Sequence, residues 1–148
     1  MEYKVTELEL SYRNKTPYNE RRKVVSSEDA QYVVRDIFPD STIDYKESFK
    51  AVFLNAANHV VGFTCVSEGG ISETTVDVRV ILQAALLCNA TSIIVAHNHP
   101  SGNLSPSRQD RELTRQLAEA TKLLRFKLLD HIIITRNDYY SFSDNGLL

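Results

Sequence analysis

The chain has 148 residues, and its 17 Lys and Arg against 19 Asp and Glu give a formal net charge of −2. That length is close to the commonest domain size, and a hydrophobic share of 43% with a charged share of 24% excludes collagen, coiled coil and disorder. The near-neutral balance leaves at most a local basic patch for nucleic acid; with no run of about 18 apolar residues and no basic-then-apolar leader, the chain is expected to be cytosolic with no membrane partner.

At the amino end, Val5, Leu8, Leu10 and Tyr12 alternate weakly with polar neighbours before the Pro-containing stretch 14–22. Residues 1–25 are therefore expected to form an edge strand and an exposed loop of the same domain. Ser26 is placed to cap a helix whose Ala30, Val33, Val34, Ile37 and Phe38 follow helical spacing, with Pro39 closing it. Residues 48–54 and 60–66 read as a hairpin around Asn55–His59, ended by Gly69-Gly70. Asp77 should cap a second helix running to about Cys88, with Ile81, Ala84, Ala85 and Cys88 on one face. The apolar run 91–97 suits a strand buried on both faces. Ser105-Pro106 supplies a cap and a first-turn proline for a third helix to about Leu124, and 128–135 and 139–142 read as a final strand pair. This order argues for an α/β fold, a mixed β-sheet flanked by helices on both faces. Cys65 and Cys88 are too few for a disulfide framework and too far apart for a metal knuckle, and read as small buried thiols.

Chemistry concentrates in His97-Asn-His99-Pro100 and the following residues to Asp110. Strand side chains at i and i+2 share a face, so the two imidazoles stand side by side at the strand end, where one divalent ion would bridge them. On the wheel of the third helix, Asp110 falls near Leu113, Leu117, Ala120 and Leu124, on the buried side. A metal there would explain a carboxylate in that position. Two histidines and an aspartate leave the fourth position of a tetrahedral zinc open to water, which implies metal-assisted hydrolysis. Singly, each residue has a plainer reading: an H-x-H pair is more often packed or exposed, Ser107 starts a helix and Gly102 makes a turn.

Jointly, H-x-H-P, six residues, Ser, two residues, Asp resembles the JAMM (JAB, MPN-plus) metalloprotease motif, matched at His97, His99, Pro100, Ser107 and Asp110. With Ser101-Gly102, Asp130-His131-Ile-Ile-Ile134 and Ser141-Phe142 added, residues 26–148 resemble the JAMM domain of the bacterial RadC family. The resemblance implies a cytidine-deaminase-like sandwich and one zinc per chain, held by His97, His99 and Asp110. It also implies hydrolysis of a peptide or isopeptide bond in a peptide or protein substrate. It assigns the water-holding general base to Glu47, with Glu68 and Glu73 as competitors, and oxyanion stabilisation to Ser107. His131 matches a family position and reads as a hydrogen-bonded core histidine, with support of the metal site as the alternative.

Two departures stand out. The helix-hairpin-helix module usual in the family has no room in this chain, which is expected to be the JAMM domain without it. Where the family has His-Pro-Arg-Glu, this chain has Asp77-Val-Arg79-Val80. The competing reading is a DNA-repair-associated module with a silent site, resting on the stripe Arg108, Arg111, Arg115 and Lys122. Glu112 and Glu119 can pair with Arg108 and Arg115 at i, i+4, so a solvated salt-bridged face is the plainer account. H-E-x-x-H, P-C-x-x-C and phosphate-loop motifs are absent.

Overall fold

The computed structural model describes residues 4–69 and 75–148. Five strands, β1 (Ser48–Leu54), β2 (Val60–Glu68), β3 (Ser92–Asn98), β4 (Lys127–Ile134) and β5 (Tyr139–Ser141), form one sheet in the order β2-β1-β3-β4-β5. Among the described residues the β3–β4 pair alone is parallel, the other pairs being antiparallel, so the sheet is mixed.

Among the described residues, three α-helices cover it: α1 (Ser27–Ile37), α2 (Val78–Leu87) and α3 (Arg108–Leu123). Alternation along β1, β3 and β4 divides the core. Val52, Leu54, Ile94, Ala96, Ile132 and Ile134 pack with Ala30, Val33 and Val34 of α1. Phe49, Ala51, Phe53, Ile93 and Val95 pack with Ile81 and Ala85 of α2 and Leu117 of α3. The α/β class with helices on both faces is as expected. A buried lysine contributes too: Lys50 Nζ donates to the Ile37 carbonyl at the end of α1, 2.5 Å away, and lies over the Phe38 ring, a cation where the helix dipole favours one.

Three expectations are corrected. Among the described residues, 4–25 contain no strand, and Val5, Leu8 and Leu10 are at least 80% exposed. Alternation supplies a face but no partner edge. The segment is fastened instead by Tyr12 Oη and Asn14 Nδ2, both donating to the Val61 carbonyl, and by a single bridge between Lys23 and His59. The cap of α3 is Ser107, not Ser105, because Ser107 and Asp110 form a reciprocal capping box that a start two residues earlier would forgo. Cys65 is exposed on edge strand β2 and Cys88 is only partly buried, so neither is a buried thiol.

Candidate metal centre

β3 lies between an antiparallel and a parallel neighbour, and its carboxyl end is where an α/β sheet leaves a crevice for ligands. His97, the sixth residue of β3, is 1% exposed and stacks against Phe49 on the face covered by α2 and α3. His99 follows the strand, with its backbone N–H donating to the Ile134 carbonyl. Its Nε2 lies 2.9 Å from His97 Nε2. Gly102 takes φ 84, which glycine adopts without strain, and the Asn103 carbonyl comes within 2.6 Å of His99 Nδ1. A carbonyl only accepts, so Nδ1 carries a proton, and Nε2 is turned towards His97.

Two carboxylates complete the cluster. The first turn of α3 brings Asp110 Oδ1 to 3.3 Å from His97 Nε2 and Oδ2 to 3.4 Å from His99 Nε2. Glu47, buried just before β1, offers a ligand oxygen that lies with those of His97 and His99 inside a 4.8 Å group. Burial opposes the Asp110 charge, but the adjoining His97 and His99 rings and the Ser107 N–H hold its carboxyl far below the usual carboxylate range. Burial also works against a charged His99, yet Asp110, the Asn103 carbonyl and Glu47 raise its pKa above the ordinary value. Two imidazole nitrogens facing one another, each with a carboxylate close by, form a donor set suited to a divalent transition metal such as zinc.

A cleft of about 370 Å³ opens from the cluster, with Phe49, Val76 and Leu113 as apolar wall and Gln109, Glu112 and Gln116 along α3. Ser107 also lines it. Its Oγ accepts the Asp110 N–H at 3.0 Å, which leaves the hydroxyl proton for donation.

A family model described as RadC-like JAB domain matches residues 24–147. The chain belongs to the RadC-like JAB domain family. This JAB domain is 41% identical to a UPF0758 protein of Flavobacterium johnsoniae over 85% of the chain and 54% of that protein. It is 40% identical to one of Porphyromonas gingivalis over 95% of the chain and 62% of that protein. The chain thus spans little more than half the length of these relatives. No helix among the described residues is long and apolar enough to cross a membrane.

Of the residues singled out in the sequence, the JAB domain brings together Glu47, His97, His99, Ser107 and Asp110. Glu68 instead pairs with Lys46 at 3.0 Å, and Glu73 lies outside the described residues. Arg79 grips the Asp77 carboxylate at the start of α2. On α3, Arg115 is held by both Glu112 and Glu119.

Asn98 and Thr114 were not legible as site residues. Asn98, between the two histidines, points to the opposite face, where Oδ1 accepts the Ser48 N–H and Nδ2 donates to the carbonyls of Ile43 and Lys46. Thr114 is one turn beyond Asp110, and that i+4 spacing was the available signal.

Proposed function

We propose that this domain is a zinc-dependent hydrolase of peptide or isopeptide bonds, acting in the cytosol on a peptide or protein substrate. The observation that carries the reading is the convergence of Glu47 and Asp110 on His97 and His99, with His97, His99 and Asp110 lining a cleft. His97, His99 and Asp110 would hold the metal, which when bound acidifies its water and polarises the scissile carbonyl. Glu47 takes the proton of the attacking water as the new C–O bond forms, and delivers it to the leaving nitrogen as the C–N bond breaks. The Ser107 hydroxyl donates to the carbonyl oxygen as it gains charge. Phe49, Val76 and Leu113 seat the substrate and keep bulk water from the reacting carbonyl. The nucleic-acid reading gains little from α3, since Arg115 is already engaged by two glutamates.

The test is Glu47→Gln, assayed on a quenched-fluorescent peptide library and for bound metal. Wild-type protein purified without chelator should hold close to one zinc per chain and cleave members of the library. The variant should keep the zinc and lose cleavage. Undiminished turnover in the variant would move the base elsewhere, and a chain that cannot be loaded with zinc would remove the reading.

A further inference from the structure

Behind His97 lies a second, fully buried polar line. His97 Nδ1 is 2.8 Å from Nε2 of His131, and His131 Nδ1 is 2.6 Å from Thr114 Oγ1. Thr114 Oγ1 in turn is 2.7 Å from the Asp110 carbonyl. His97, His131 and Thr114 are each at most 2% exposed, so water does not complete these bonds. His131 is stacked on Phe142 and meets Phe49 edge-on, which fixes its ring plane.

One arrangement of protons satisfies all three contacts of this line. The Asp110 carbonyl can only accept, so the single Thr114 hydroxyl proton goes there. Thr114 therefore accepts from His131, which places a proton on His131 Nδ1. A buried imidazole between two aromatic rings is neutral, so His131 Nε2 is bare and accepts from His97 Nδ1. His97 is left with an unprotonated Nε2 turned towards His99 and Asp110. The line closes on itself, because Asp110 anchors it by its carbonyl and meets the His97 Nε2 with its carboxylate.

We propose that His131 and Thr114 are positioning residues that lock His97 in its Nδ1-protonated tautomer and so present its Nε2 lone pair to the metal. The proposal rests on the metal reading above, and it assigns His131 a function in metal capture beyond filling the core. Outer partners of a metal-bound imidazole commonly change metal affinity by roughly 10- to 100-fold.

Long-range proton–nitrogen NMR of the histidine rings in uniformly labelled protein, with and without zinc, tests it directly. His97, His99 and His131 should all show the proton on Nδ1 in the metal-free protein, and His131 should keep it there when zinc is bound. In Thr114→Val the His131 preference should weaken and zinc affinity, measured against a competing chelator, should fall about 10-fold or more; Thr114→Ser should restore both. A proton on His97 Nε2 in the metal-free protein, or on His131 Nε2 in the zinc-loaded protein, overturns the proposal even if zinc binds. So does unchanged zinc affinity in a folded Thr114→Val. A wild-type protein with all three expected tautomers that takes up no zinc overturns the metal reading itself and, with it, the role given to the line.

Discussion

Asn98 Oδ1 accepts the backbone N–H of Ser48 at 2.8 Å, tying the residue between the two histidines to the residue that follows Glu47. Its amide nitrogen donates to the Ile43 and Lys46 carbonyls, so one side chain holds the turn leading into β1 at three points. The H-x-H strand end thus supplies two imidazoles on one face and, on the other, the clamp that sets where Glu47 enters the site.

Asn98→Leu keeps the volume and strands the three backbone groups. A stability loss of roughly 3 kcal/mol is expected from these unsatisfied groups. Turnover should fall at least 10-fold while zinc affinity stays within a few-fold, because His97 and His99 are held by other contacts. Thermal unfolding, chelator competition and steady-state cleavage measure the three. Zinc affinity that falls in step with turnover would contradict the assignment to Glu47.

Ser107 has two tasks that substitutions can separate. Ser107→Ala removes the cap of α3, costing about 1 kcal/mol, and removes the hydroxyl donor, lowering kcat by about 100-fold. Ser107→Thr should recover both, whereas Ser107→Asp should recover stability without the hydroxyl donation. Denaturant midpoints and kcat give the two readouts, and a kcat in Ser107→Ala that tracks stability alone would leave Ser107 with the cap only.

Burial holds His131 well below the ordinary histidine pKa. The unfolded chain takes up a proton at this residue below about pH 6.5 and the folded chain does not, so its contribution to stability is present above that pH and lost as pH falls. The stability advantage of wild type over His131→Gln should narrow below pH 6.5, by at most about 1.4 kcal/mol per pH unit. Denaturant titrations of both proteins from about pH 7.5 to pH 5 check it. A constant difference would mean that His131 takes up its proton in the fold as readily as in the unfolded chain.

Zinc should raise the melting temperature, by an amount corresponding to about 2.7 kcal/mol at a hundred times its dissociation constant. The gain should shrink on acidification. His99 has a folded pKa above its unfolded value, so its protonated form stabilises the metal-free fold below the unfolded pKa, and that help is lost as pH rises through the folded one. The same proton competes with the metal for Nε2. Melting curves with and without chelator between about pH 8 and pH 5.5 should therefore converge towards the acid side. A zinc-induced shift that grows as the pH falls would be inconsistent with His99 as a ligand.

By itself the sequence determined those parts of the protein whose physics is local. Helical spacing and the Ser26 and Asp77 caps placed α1 and α2, the apolar run placed β3, and strand alternation put His97 and His99 on one side. The i, i+3 reach of Ser107 and Asp110 was readable as motif spacing, though its capping role shifted the start of α3 from the one expected at Ser105. Tertiary structure decided whatever needed a partner distant in the chain. Val5, Leu8 and Leu10 alternate like a strand, yet without an adjoining edge they stay exposed. Glu47 and Glu68 both flank strands, but the first joins the histidines and the second is drawn to Lys46. The direction of the line from His97 through His131 and Thr114 to Asp110 required β3, β4 and α3 to meet. A hydrogen bond assigns its proton only when both ends are known, and these ends come together only in the fold.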